Sequence, residues 1–194
     1  GKPWHSWRVL ILPFMDQRAL YERYRFDEPW DGPNNKALLE SVPPVYRDPV
    51  YPASKEAFTH YAAITGPGTA FPLEPRNPAS FVPKPAGLSA ATTRMADIRD
   101  GTSNTILVGP VSPERKIPWT KPEDVTWNDN FPGLGQPGSF ATPHKPDNRP
   151  AALFLRADGS VSMERADLDL AALRKLFQVA DAPRPEESKA PVAV

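Results

Sequence analysis

Apolar residues fall into blocks along the chain, and the spacing within each block predicts an element. The first block is Trp7, Val9, Leu10, Ile11, Leu12, Phe14 and Met15. Beyond Pro13, Leu20, Tyr21 and Tyr24 recur at helical spacing, which predicts a helix over 13–25 with the proline in its first turn. Asp31-Gly32-Pro33-Asn34-Asn35 supplies a turn and a cap for a short helix over 36–41, and Val42-Pro43-Pro44 stops it. Residues 45–52 are expected to be extended, because a residue before proline avoids the α region.

The period then shortens. Phe58-Thr59-His60-Tyr61-Ala62-Ala63-Ile64 is rich in β-formers and predicts a strand ending at Gly66-Pro67-Gly68, and Thr105-Ile106-Leu107-Val108 predicts a second, buried one. Two further strands, 152–157 and 160–163, flank Asp158-Gly159, the strongest short-range hairpin signal in the chain. A two-residue loop with both central residues at positive φ sets Phe154 opposite Met163 and Arg156 opposite Val161. Asp167 or Asp169 caps a last helix with Leu170, Leu173, Leu176 and Phe177 on one side, and Arg174 and Lys175 suit the negative end of its dipole. Residues 69–92, with prolines at 72, 75, 78, 83 and 85, read as a long surface loop, and 121–150 as mostly loop. The expected fold is α+β: helices packed on a small antiparallel β-sheet in one loop- and proline-rich domain over 1–180, with a disordered tail over 181–194.

Composition changes this picture at one point. Proline accounts for 26 of 194 residues, and because it lacks an amide donor it is confined to short elements and stiff loops. Proline and glycine together stay near a fifth of the chain, below the share of low-complexity sequences, so a packed core is expected. Basic and acidic residues balance at 23 each, which disfavours nucleic acid as a partner, since phosphate binding draws on a basic excess. No apolar run is long enough to span a bilayer. The opening Gly1-Lys2-Pro3-Trp4 reads as the interior of a longer protein, so membrane attachment is expected only through an upstream segment. With no cysteine, disulfides and thiolate chemistry are excluded.

Several phrases recur in an order that is itself informative. They are Ser6-Trp7-Arg8-Val9-Leu10-Ile11-Leu12-Pro13, Asp27-Glu28-Pro29-Trp30-Asp31, Thr65-Gly66-Pro67-Gly68-Thr69-Ala70-Phe71, Asp100-Gly101-Thr102-Ser103-Asn104-Thr105, Pro118-Trp119-Thr120-Lys121-Pro122-Glu123-Asp124 and Phe154-Leu155-Arg156-Ala157-Asp158-Gly159-Ser160-Val161. In this order they resemble a planctomycete family of unknown function, many of whose members begin with a prepilin-like segment. The resemblance runs over about residues 1–180. It implies a pilin-like globular domain outside the cytoplasmic membrane, fed by an N-terminal hydrophobic helix that this chain lacks, and no established activity. The chain departs from the family in two places. The histidine that members carry about nine residues before the final Asp-Gly is here His144, with thirteen residues between it and Asp158, and the cysteine common near position 48 is absent.

Candidate chemistry is sparse. His5, His60 and His144 lie at no metal-ligand spacing, and a zinc site needs three or four convergent ligands. Asp100-Gly101-Thr102-Ser103-Asn104 offers oxygens for Ca²⁺, but side-chain bonds to the turn backbone explain the same residues. Asp27, Glu28 and Asp31 beside Trp30 are too close in sequence for the paired acids of glycoside hydrolysis. No Gly-x-Ser-x-Gly frame surrounds Ser6, Ser103 or Ser160. We therefore expect no enzyme, metal or cofactor, but an extracytoplasmic structural or interaction module anchored by Trp7, Trp30, Trp119, Phe154, Asp158 and Gly159. Protein partners, in a larger assembly or a homo-oligomer, are expected at Phe71, Phe81, Phe131 and Phe140, apolar rings on the loops. The alternative is a carbohydrate or small-solute binding module using Trp119, Trp127 and Phe131.

Overall fold

The computed structural model describes residues 4–51, 56–72 and 93–180. Five strands, β1 (Tyr61–Thr65), β2 (Ile106–Pro110), β3 (Val125–Thr126), β4 (Ala151–Arg156) and β5 (Val161–Arg165), form one sheet in the order β3-β1-β2-β4-β5. All pairs are antiparallel except β1 with β3, so the sheet is mixed rather than purely antiparallel. The helices are α1 (Trp7–Leu10), α2 (Arg18–Arg23), α3 (Pro33–Lys36) and α4 (Leu170–Phe177). The α+β class holds.

Two apolar clusters result. The larger lies on one face of the sheet, where Ala62, Ile64, Ile106, Ala152 and Phe154 meet Trp127, Phe131 and Phe140 from the loops and Leu173 and Phe177 from α4. Helix α4 is capped by Asp169, whose carboxylate accepts from the Ala172 amide, and it buries Leu173 and Phe177 while leaving Leu170 exposed. The smaller cluster is N-terminal: Val9, Leu12, Leu20, Tyr24, Leu38 and Tyr46 surround Trp119. Only α4 among the helices therefore packs in the sheet's core.

The predicted N-terminal helices are shorter than the pattern suggests. In place of one helix over 13–25, a 3-10 turn at Leu12–Phe14 ends at Asp16, whose φ is +55°, and α2 starts afresh at Arg18. The Gln17 amide closes back on the Leu12 carbonyl, as a left-handed cap requires, and Asp tolerates that conformation better than most residues. The break lets Leu12, Leu20 and Tyr24 enter one cluster. Instead of a helix over 36–41, α3 begins at Pro33 and gives way after Lys36 to successive three-residue turns. Residues 45–52 are not simply extended, because Pro44–Tyr46 forms a 3-10 turn that swings Tyr46 inward against Trp119, ring centroids 6.2 Å apart. The strand expected from Phe58 begins at Tyr61, with Phe58 reduced to a single bridge to Pro118.

The hairpin departs by one residue, with consequences. Its loop holds three residues, not two: the Gly159 amide bonds the Arg156 carbonyl at 3.0 Å, and Gly159 alone of the three has positive φ, +85°. This is a type I turn followed by a glycine bulge. The register slips accordingly, so Leu153 faces Met163, Phe154 faces Ser162 and Leu155 faces Val161. Met163 and Val161 consequently lie on the outer face, while Ser162 and Glu164 share the core side with Phe154. Glu164 is held there by Arg156 at 2.8 Å and by the Ser162 hydroxyl. The disordered tail expected over 181–194 and most of the proline-rich loop, residues 73–92, lie outside the described residues.

Gly109 shows how closely the sheet core is packed. A Cβ there would overlap the rings of Phe154 and Phe140. Its φ is not in the left-handed region, so any cost of a side chain is steric. Gly109→Ala is expected to destabilise the fold by roughly 1–3 kcal/mol. The readout is a lower urea midpoint with an unchanged denaturant slope.

Candidate functional site

Two of the family-like phrases converge on a buried ion pair, Arg8 with Asp124. Arg8, at the heart of α1, has no exposed surface, yet every guanidinium N–H has an acceptor. Nε donates to the Tyr61 carbonyl at 2.9 Å, and one terminal nitrogen donates to Ser6 Oγ (2.9 Å) and the Lys121 carbonyl (3.4 Å). The other donates to the Glu123 carbonyl at 3.2 Å and to Asp124 Oδ1 at 2.8 Å. The same Asp124 oxygen accepts from the Trp7 indole at 3.0 Å and from the Ala63 amide at 2.9 Å. Burial pulls the Arg8 guanidinium below its ordinary pKa, and the Asp124 charge opposes that shift.

The pair completes the sheet. Tyr61 and Ala63 direct their backbone groups toward the β3 side of β1, but β3 begins only opposite Ile64, where Ile64 pairs with Val125. Asp124 and Arg8 satisfy the Ala63 amide and Tyr61 carbonyl that no strand reaches. Tyr46 reinforces the site by donating its hydroxyl to the Arg8 carbonyl, and burial raises that phenol to about 12.

Other phrases also close on themselves. Asn35, fully buried, accepts from the Arg25 amide and donates to the Arg25 and Pro29 carbonyls at 2.8–3.0 Å. Glu28 accepts from Asn34 and the Asn35 amide, so the acidic group near Trp30 is a loop clamp. The two Asp-Gly phrases dock on each other: the Ala157 and Asp158 amides bond the Thr105 and Thr102 carbonyls, and Arg156 reaches the Ser103 carbonyl. Asn104 and Thr105 bond back to the Asp100 and Gly101 carbonyls, so of the side chains considered for calcium that of Asn104 closes the turn. Asp158 takes the Ser160 hydroxyl and amide, and these bonds lower its pKa.

The expected anchors are placed unevenly. Trp119 and Phe154 are fully buried, whereas Trp7 and Trp30 are half-buried. Among the loop rings, Phe131 and Phe140 are not surface groups; both fold back into the sheet core against Phe177. Phe71 is exposed, and Phe81 lies outside the described residues. Trp119, Trp127 and Phe131, the proposed solute platform, are all buried, because each fills a core that short strands alone leave open. Among the described residues no group of three His, Asp or Glu stands where it could hold a metal. An open groove of about 470 Å³ lies elsewhere, lined by Tyr51, Ser112, Arg115, Gln136 and Thr142 among others.

Residues 1–139 match the family described as a protein of unknown function, DUF1559 (SBP_bac_10). The chain belongs to that family. No curated protein and no solved structure matches it. The matched region contains Arg8, Asn35 and Asp124, and so takes in the ion pair and the smaller cluster. Strands β4 and β5 and helix α4 lie beyond it, although Phe154 and Phe177 complete the family region's core.

Sequence reasoning quoted Arg8 and Asp124 within their phrases but assigned neither a role. The available signal was an arginine set among Trp, Val, Leu and Ile, since such a charge is buried only with a partner. His60, set aside above as a metal ligand, is a core histidine. It is buried, its Nδ1 accepts the Asp48 amide at 2.9 Å, and its ring meets Tyr51 edge-on.

Two predictions follow from these contacts. Asp124→Ala strands the Arg8 charge in the interior and should cost about 3–5 kcal/mol, read as a lower urea midpoint. Burial is the main cause that lowers the His60 pKa, and it acts likewise on His5. The unfolded chain therefore takes up protons first as pH falls below about 6.5, and stability falls with pH through that range. Melting temperature should drop between about pH 7 and pH 5, and His60→Gln should flatten the slope.

Proposed function

We propose that this chain is a non-catalytic interaction module of pilin-like plan, acting outside the cytoplasmic membrane as a subunit or accessory of a cell-envelope assembly. One observation supports it above others: four charged side chains of the family-like phrases, and the Asn35 amide beside one of them, are bonded within the protein. Arg8, Asp124, Asn35, Glu28 and Asp158 all spend their hydrogen-bonding groups on backbone or on one another. A catalytic or ligand-binding phrase would direct such groups into a cleft. The planctomycete prepilin-like proteins that the phrases resemble supply the envelope location and the pilin-like plan.

The groove beside Tyr51 favours the second reading, a small-solute binding module. It offers hydroxyl, amide and guanidinium groups at Ser112, Thr142, Gln136 and Arg115, in a volume within the range of ligand pockets. Melting the protein with panels of saccharides, amino acids and divalent cations separates the two. A ligand at about a hundred times its Kd adds about 2.7 kcal/mol, a rise of several degrees. The interaction-module reading expects no saturable shift. A shift abolished by Gln136→Ala would overturn it in favour of solute binding.

A further inference from the structure

The outer face of the hairpin carries a row of exposed apolar side chains that no part of the described protein covers. Leu153 and Leu155 on β4 are 37% and 39% exposed, while Met163 and Val161, their partners on β5, are 47% and 63% exposed. The gradient has a geometric cause. Strand β4 is flanked by β2 and β5, whereas β5 is the edge of the sheet and is flanked on one side only.

The backbone of that edge is open as well. The Arg156 amide bonds the Ser160 carbonyl, and the Ala166 amide bonds the Pro150 carbonyl. Alternation between these two points directs the N–H and C=O groups of Val161, Met163 and Arg165 away from β4. The strand has no bulge, proline or lysine; its charged residues are Glu164, which points to the core side and is paired with Arg156, and Arg165 at its end. Its far end is held rigid, because the Asp-Gly loop docks on residues 102–105.

We infer that β5 pairs with β5 of a second copy of this chain, antiparallel about a twofold axis at Ser162. The inference rests on the interaction-module reading and names its partner. Charge selects the partner and its direction. The strand has a cation at one end, Arg165, whose contact with the exposed Asp147 is long at 3.9 Å, and the loop before it has an anion, Asp158, one oxygen of which is bonded by Ser160, so antiparallel pairing of like strands brings the Asp158 of each copy near the Arg165 of the other. Parallel pairing would set like charges together. Apolar alternation selects the register. With Ser162 on the axis, Val161 lies opposite Met163 of the second copy and each covers the other's open flank. A register centred on Met163 would instead press Arg165 against Val161. The pairing joins two five-stranded sheets into one of ten strands.

The chain's lack of cysteine provides a direct test. In this register the two Ser162 residues form a non-hydrogen-bonded pair with Cα atoms about 4.5 Å apart, within disulfide reach. Ser162→Cys, oxidised with copper phenanthroline, should cross-link to a covalent dimer, whereas Ser41→Cys, exposed on another face, should not. The unmodified chain should sediment as a dimer, and Val161→Lys with Met163→Lys should make it a monomer of unchanged circular dichroism. A monomeric parent at high-micromolar concentration overturns the inference, as does a dimer that the two lysines leave intact. If the double lysine variant fails to fold, the Ser162→Cys cross-link decides alone, and its absence from a dimeric sample overturns the inference. Saturable solute shifts would instead overturn the interaction-module reading, so the two failures are distinguishable.

Discussion

Strand β1 has an edge that the chain cannot close with another strand, and the Arg8–Asp124 pair closes it. The neighbouring β3 holds only Val125 and Thr126, so the Ala63 amide would otherwise face the interior unbonded and the Tyr61 carbonyl would keep only the Thr59 hydroxyl. A carboxylate and a guanidinium take the places of the missing peptide groups. Burying two charges costs several kcal/mol each, and the geometry offsets that cost only because all the Arg8 donors and three bonds to one Asp124 oxygen are made. Such a pair adds little over a well-packed apolar substitute, but losing one member leaves the other stranded. Its main consequence is positional: it fixes α1 and the Pro118–Asp124 loop at one edge of the sheet.

The two apolar clusters make sense around that fixed point. Strands of two to six residues cannot supply a core by themselves, so the loops contribute rings. Trp127, Phe131 and Phe140 reach the sheet core from irregular backbone, and Trp119 forms the centre of the N-terminal cluster with its indole bonded to the Leu39 carbonyl at 3.2 Å. Abundant proline suits this design, since stiff loops lose less entropy when their rings are buried. Polar side chains then satisfy the loop backbone where no strand or helix does, as Asn35 does between Arg25 and Pro29.

Individual elements show how far local chemistry reached. The β-branched and aromatic runs around Ala62, Ile106 and Phe154 mark strands, and Asp169 with Leu173 and Phe177 marks α4, because alternation and helical spacing are local signals. The helix breaks at Asp16 and Lys36 were not legible, since propensity over so few residues is weak beside the gain from burying Leu12, Leu20 and Tyr24 together. The hairpin was recognised, but its loop length was not. Asp-Gly serves both two- and three-residue loops, and the choice is made by the amides of Ala157 and Asp158, which bond carbonyls some fifty residues away.

The sequence by itself determined that this is a folded α+β protein without thiol chemistry, that Trp119 and Phe154 are rings placed inside it, and that Asp158-Gly159 turns the chain. These follow from composition, period and turn chemistry, which act between neighbours. Tertiary structure decided that Phe131 and Phe140 belong to the core and that Arg8 meets Asp124 across 116 residues. It also decided that Val161 and Met163 face outward. Each of these depends on groups distant in sequence competing for one space or one hydrogen bond, and a local pattern contains no information on which of them meets which.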